Sequence, residues 1–376
     1  MCCSVLFASL LLPWLAAAVT TCSVLSYGGK ADNSTDLGPA ILSAWNNCVK
    51  PALTSVRTDT ILLIPSGNFL LKSNVQMDKA STFNFKLEGN IYLPYDSSLT
   101  GNMIWFSHCD SILFSGSGKI YGNGYRYRPR GNLSLNPNRP RLLRFESCNN
   151  NIITGVTLYD APKFHVTVIG DNNIVHDMAI HATNIGESKT SAPYIETVCL
   201  KFVPADGFDM SGNNNYVYNV VVENGDECVT VKTPTVGFKA ENIVCIGTAG
   251  CNSGSYGSGA TGVSIQNVYY RNEPNCQGTV KNLTYEDFTF TAAAYPLDID
   301  SNWMGDGVDS GSLAISDVTF TNIKGTGTSS RPAVKLWCNK ATPCKNIKFS
   351  GVSITGAAAN EFTNACGTGL SGLPAC

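Results

Sequence analysis

The chain has 376 residues, 43% of them apolar and only 14% charged, which supplies a sizeable hydrophobic core and excludes the composition of a disordered chain. Its 26 basic and 28 acidic residues leave a formal charge of −2 with no basic run, so the counterion-release term that nucleic-acid binding draws on is missing. Nothing beyond residue 19 approaches the ~20 apolar residues of a membrane span, and neither nucleic acid nor membrane is an expected partner.

The chain opens with an apolar run, Leu10 to Leu12 and Trp14, followed by Ala16, Ala17 and Ala18, the pattern of a secretory signal peptide. Residues 1–18 are expected to be removed, leaving 19–376 as one extracellular, monomeric domain. Sequons at Asn33, Asn132 and Asn282 suit glycosylation of an exported chain. Between Asp36 and Cys48, Ile41, Leu42 and Trp45 share one face, which predicts an amphipathic helix capping an open end. Fifteen cysteines, thirteen of them beyond Cys2 and Cys3, also suit an oxidising compartment. Their positions suggest the pairs Cys22–Cys48, Cys338–Cys344 and Cys366–Cys376. With no Cys-x-x-Cys and four histidines, no metal or other cofactor is expected.

From about residue 109 a short unit recurs: Asn or another polar residue, β-branched residues, a small or polar step, then alternating apolar residues, as in Asn151 to Leu158, Asn173 to Ile180 and Asn215 to Val222. Aligning one apolar anchor gives Val156, Met178, Val220, Ile243, Val268, Phe288, Val318 and Val352, with spacings of 22, 42, 23, 25, 20, 30 and 34. A period in the low twenties with alternation of period two, and no hairpin signals at sandwich spacing, predicts an all-β parallel β-helix. Removing Glu187 to Pro204 reduces the 42-residue gap to 24, so that segment reads as an insertion.

Within one such turn lie Ala205-Asp-Gly-Phe-Asp-Met210 and Gly225-Asp-Glu-Cys-Val-Thr-Val-Lys232. Stacking these turns gathers Asp206, Asp209, Asp226 and Glu227, in a chain with few charges. Clustered carboxylates raise one another's pKa, so that one serves as an acid while another stays ionised as a base, the combination that glycosidic cleavage needs. The plainer reading is that these residues bind calcium or hydrogen-bond the turns. Lys232, two positions past Thr230 on the same strand face, is a candidate cation for an anionic sugar.

Asp-Gly-Phe-Asp one coil before Gly-Asp-Glu-Cys-Val-Thr-Val-Lys resembles glycoside hydrolase family 28, and within it the fungal rhamnogalacturonan hydrolases. Asp160-Ala-Pro-Lys-Phe-His165, Cys251-Asn-Ser-Gly-Ser-Tyr-Gly257, Gly278-Thr-Val-Lys-Asn282, Ala294-Tyr-Pro-Leu-Asp-Ile-Asp300 and Arg331-Pro332 agree with that subgroup. Asp226-Glu227 replaces the Asp-Asp pair of polygalacturonases, and Ala249-Gly250 stands where their Gly-His-Gly falls. The resemblance implies a right-handed, single-stranded β-helix that inverts α-D-galacturonosyl-(1,2)-L-rhamnose linkages of rhamnogalacturonan I in pectin. It implies Asp226 as general acid, Asp206 and Glu227 as the residues that position and deprotonate water, Asp209 as a neighbour tuning them, and a Cys228–Cys245 disulfide.

The sequence departs from the family after Arg271-Asn272, where only Glu273 to Gln277 intervenes in place of a strand carrying a substrate-binding Ile-Lys pair. Lys232, Arg271 and Lys281 are the candidate replacements for that cation. Two rival readings stay open: a hydrolase of homogalacturonan or xylogalacturonan, and a non-catalytic glycan-binding solenoid. Tyr295, Trp303 and Trp337 read first as packing residues and second as sugar platforms, and His165 as a structural hydrogen-bonding residue.

Overall fold

The computed structural model describes residues 19–53, 59–127, 138–182, 205–224, 228–232, 234–247, 263–266, 277–293, 296–300 and 312–376. Twenty strands form one sheet and ten a second, and the described ladders are parallel, as in the pairing of Ile174–His181 with Tyr216–Asn224. Each turn lays its strand against the corresponding strand of the turn before. One inward row runs Cys22, Leu62, Phe85, Phe114, Ile153 and Val175, then Val217, Ala240, Tyr285, Phe320 and Phe349. At about 4.8 Å per turn, like side chains on successive turns meet face to face. Phe85 stacks on Phe114 at 5.1 Å, Phe106 on Phe145 at 4.8 Å and Phe320 on Phe349 at 5.1 Å.

The anchors Val156 to Ile243 keep register: Met178 pairs directly with Val220, across the 42-residue gap, and Val220 with Ile243. Beyond them the sequence alignment slips. Ile243 pairs directly with Phe288, leaving no rung there for Val268, which lies outside the described residues. Phe288 then runs in line with Ile323, because Thr289 pairs with Lys324, whereas Val318 belongs to the row of Leu283 and Ile347.

The slip has a physical cause. The sheet turns two corners per coil, and both place an Asn or Asp with positive φ before an apolar residue: Asn219, Asn242 and Asp287 at one, Asn282, Asp317 and Asn346 at the other. Asn and Asp tolerate that left-handed conformation, so the two corners share one sequence signature. Lys239–Gly247 pairs directly with Gln277–Ala293, and residues 273–276 lie outside the described residues.

A buried asparagine ladder supports the turns that face the functional region. Asn151 Nδ2 donates to Asn173 Oδ1 at 2.7 Å, Asn173 Nδ2 to Asn215 Oδ1 at 3.1 Å, and Asn215 Nδ2 to the Gly170 carbonyl at 2.8 Å. These are the polar residues that open the repeating unit.

The N-terminal cap is an α-helix over Gly38–Ala44 continued by a π turn over Trp45–Val49. Ile41 and Trp45 are buried and Leu42 is partly buried against the core, so the predicted face is the one that packs. Asp36 ties the helix to the solenoid: its Oδ1 accepts the Gly38 amide at 3.2 Å and the Lys72 amide at 2.8 Å, and its Oδ2 accepts the Ser73 hydroxyl at 2.7 Å.

All four predicted disulfides are present: Cys22–Cys48, Cys228–Cys245, Cys338–Cys344 and Cys366–Cys376. A fifth, Cys109–Cys148, was not expected. Its 39-residue separation equals the offset between Phe114 and Ile153 on adjacent turns, a coincidence visible only once the turn length is known. Cys199, Cys251 and Cys276 lie outside the described residues, as do residues 1–18, Asn132 and the Glu187 to Pro204 segment. Asn33 and Asn282 are exposed. Among the described residues no helix is long and apolar enough to cross a membrane.

Candidate active site

The ten-stranded sheet builds the candidate site by alternation. On the strand Phe208–Ser211, Phe208 and Met210 enter the core; on Val229–Lys232, Val229 and Val231 do. The intervening side chains leave the opposite face, so Asp209 stands in one cross-strand row between Thr167 and Thr230, and Lys232 sits beside Ser211. Although it points off the sheet, the Asp209 side chain is only 2% exposed; its Oδ1 lies 2.9 Å from Nζ of Lys232. The carboxylate accepts no further hydrogen bond among the described residues, and the hydroxyls of Thr167 and Thr230 on either side are likewise buried without a partner. Three adjacent turns therefore place buried polar atoms without hydrogen-bond partners in a line, and each such group calls for an explanation, a catalytic role being one.

Asp206 precedes the strand and is 6% exposed. Its backbone carbonyl accepts from the His165 amide at 3.1 Å and from His165 Nδ1 at 2.9 Å, while His165 Nε2 accepts the Ala161 amide at 3.1 Å. His165 is thus the structural hydrogen-bonding residue that the sequence suggested. The glycine in Asp-Gly-Phe-Asp has a steric reason: a Cβ on Gly207 would lie 2.4 Å from the Cys228 carbonyl oxygen of the next turn. Cys228, in turn, is bonded to Cys245, one turn further on.

Around these carboxylates the turn before contributes a cationic group that sequence reasoning missed. Leu142 and Leu143 donate their amides to the carbonyls of Phe164 and His165, which sets Arg141 beside Phe164. The Phe164 ring has Arg141 Cζ at 5.3 Å, Lys163 Nζ at 5.5 Å and Lys232 Nζ at 5.3 Å from its centroid. Burial, and then repulsion from Arg141 and Arg139, push the Lys163 ammonium below its ordinary pKa, with Asp206 opposing. Burial likewise lowers Arg141 from its ordinary value, followed by repulsion from Arg144, with Asp209 opposing. Lys163 and Phe164 lay inside a family-like stretch, but nothing in the sequence linked Arg139 and Arg141 to Asp206, because only the stacking of turns brings them together.

Asp226, Glu227 and Arg271 lie outside the described residues, as do Tyr295 and Trp303. Trp337 is 43% exposed on the ten-stranded sheet, with Lys335 Nζ 4.7 Å from its ring centroid, so it is no core residue. Lys281 is exposed, on a strand of the twenty-stranded sheet and away from this face. Among the described residues no three His, Cys, Asp or Glu side chains are arranged to hold a metal ion.

Residues 55–371 match the sequence model of Glycosyl hydrolases family 28. The chain belongs to that family. This glycoside hydrolase is 34% identical over 370 residues to the probable rhamnogalacturonase E of Aspergillus flavus, covering 93% of this chain and 75% of the relative. It is 34% identical over 359 residues to rhamnogalacturonase A of Aspergillus aculeatus, covering 90% and 73%. Among solved structures it shares its fold with the endo-xylogalacturonan hydrolase of Aspergillus tubingensis, at a TM-score of 0.68 and 20% identity over 94% of this chain and 100% of that one. The exopolygalacturonase of Thermotoga maritima gives a TM-score of 0.66 and 15% identity, covering 91% and 88%.

Proposed function

We propose that this chain is a secreted pectin hydrolase that cleaves the α-D-galacturonosyl-(1,2)-L-rhamnose linkage of rhamnogalacturonan I with inversion. The observation that carries the reading is the outer face of the ten-stranded sheet, where Asp206 and Asp209 stand among Lys163, Arg141 and Lys232. The relatives named above support the substrate, and five disulfides among the described residues support an oxidising, extracellular destination.

In this reading Asp226 protonates the leaving glycosidic oxygen, while Asp206 and Glu227 position and deprotonate the water. The 21-residue offset from Phe208 to Val229 equals the sequence distance from Asp206 to Glu227, which supports their acting as a pair across one turn. Inversion requires acid and base about 6.5–9.5 Å apart so that water enters opposite the leaving group. Asp209, paired with Lys232 at 2.9 Å, adds little net charge to the pair and holds the lysine beside it.

The test is incubation of purified protein with rhamnogalacturonan I and, separately, with polygalacturonate, beside an Asp226→Asn variant. Saturated fragments from the first substrate only, with inverted anomeric configuration by proton NMR and none from the variant, are expected. Cleavage of polygalacturonate alone would replace the substrate assignment, binding without cleavage would favour a glycan-binding solenoid, and ultraviolet-absorbing unsaturated ends would replace hydrolysis by elimination.

A further inference from the structure

We propose that Lys163 and Arg141 form a carboxylate-binding subsite on the side of Asp206 that faces the chain's N-terminal turns, where they hold the uronate of the sugar entering the site. The proposal rests on the hydrolase reading above for the identity of that sugar.

The first support is convergence. Three cations lie within 5.5 Å of the centroid of one ring, Phe164, though like charges repel and the sequence carries few of them. Arg139, which donates through Nε to the Pro162 carbonyl, adds a further positive charge; among the described groups that act on Arg141 and Lys163, Arg144 is another cation and Asp206, Asp209 and Glu146 are the carboxylates. An aromatic face offsets part of the repulsion among the three cations around the ring, and an incoming carboxylate would offset more of it.

The second support is the state of Arg141. Its Nε is buried and has no hydrogen-bond partner among the described residues. A guanidinium offers five donors in a planar fork that matches a carboxylate edge, so an unused, buried donor beside a second cation is a feature a carboxylate would satisfy. The third support is position. Arg141 begins the strand that pairs through Leu143 with Val166, and Val166 pairs with Phe208, so the cluster lies on the turns immediately before the strand of Asp209. Lys232 is engaged with Asp209 at 2.9 Å, whereas Arg141, beside Lys163 on the Phe164 ring, keeps an unused buried Nε, so this pair is placed to read the substrate.

The experiment compares binding of rhamnogalacturonan oligosaccharides with that of the same oligosaccharides carboxyl-reduced to the neutral galactose form, by calorimetry, in the full chain and in Lys163→Gln, Lys163→Arg and Arg141→Lys variants. The wild type is expected to bind the native sugar about 10- to 100-fold more tightly than the reduced one, with salt weakening only the native complex. Lys163→Gln and Arg141→Lys should remove most of that difference and leave affinity for the reduced sugar unchanged, and Lys163→Arg should restore it. The wild-type comparison does not depend on any variant folding. Equal wild-type affinity for both sugars, or variants that lose affinity for both alike, would overturn the subsite. Cleavage measured on the same samples separates the two ideas: carboxylate-dependent binding without cleavage upholds the subsite and overturns hydrolysis, whereas cleavage with indifference to the carboxylate does the reverse.

Discussion

The imidazole of His165 and the backbone of Asp206 are locked together: Nδ1 lies 2.9 Å from the Asp206 carbonyl oxygen, which also accepts the His165 amide at 3.1 Å. On the other side of the ring Nε2 faces the Ala161 amide. An amide nitrogen only donates, so Nε2 carries no proton and the proton resides on Nδ1. The ring is neutral and fully used, a positioning group for the residue proposed to activate water.

Replacing it should separate position from binding. His165→Ala removes the acceptor of the Ala161 amide and the imidazole donor to the Asp206 carbonyl, and a buried hydrogen bond lost in this way costs about 1–3 kcal/mol. We expect a lower melting temperature and a fall in kcat with KM nearly unchanged. A rise in KM at constant kcat, in steady-state assays on rhamnogalacturonan, would contradict the assignment.

The Lys232–Asp209 pair yields a prediction of opposite logic for single and double variants. Lys232→Met leaves a carboxylate that is 2% exposed without its compensating charge, and stranding a buried charge costs on the order of 3 kcal/mol. The double variant Lys232→Met with Asp209→Leu should be more stable than Lys232→Met alone. Urea denaturation of the four species in the cycle reads this directly.

The asparagine ladder makes a third case. Asn173→Ala removes the acceptor of the Asn151 amide and side chain and the donor to Asn215, all of them buried. At about 1–3 kcal/mol per stranded group, the loss should exceed that of alanine at the exposed corner residue Asn242 by several-fold. Thermal melts of the two variants decide it.

Acid should act through the capping helix. Burial by itself would raise the Asp36 carboxyl, but the Lys72 amide, the Ser73 hydroxyl, the Gly38 amide and the Ser73 amide together hold it below the ordinary value. The folded chain therefore binds its proton less readily than the unfolded chain. The stabilisation is complete above the unfolded pKa of about 4 and disappears as pH falls through the lower, folded value. The stability difference between wild type and Asp36→Asn should shrink between about pH 5 and about pH 2, as followed by chemical denaturation at each pH.

The period of the solenoid, the direction of alternation, the capping helix and three disulfides were legible in the sequence because each rests on short-range patterning: period-two burial, one helical face, and cysteines that bracket a segment; the Cys228–Cys245 pair was implied by the family resemblance alone. The anchor alignment failed past Ile243 for the same reason. Both corners of the twenty-stranded sheet use a left-handed Asn or Asp, so local pattern alone could not tell Val318 from Ile323 as the successor of Phe288.

Of the candidate site, Asp206, Asp209 and Lys232 could be singled out in the sequence, since acidic residues are conspicuous in a chain only 14% charged. What the tertiary structure alone decided was their company. A turn varies from 20 residues, Ile347 to Gly367, to 45, Ala240 to Tyr285, and this variable length converts sequence separation into adjacency by a rule that the sequence does not state. It sets Arg141 and Lys163 around the ring of Phe164, puts a fifth disulfide at Cys109–Cys148, and turns Trp337 out of the core. Backbone hydrogen bonding between turns enforces each of these meetings: once one residue of a strand is paired, the fixed pleat and the rise of about 4.8 Å per turn determine every neighbour along it.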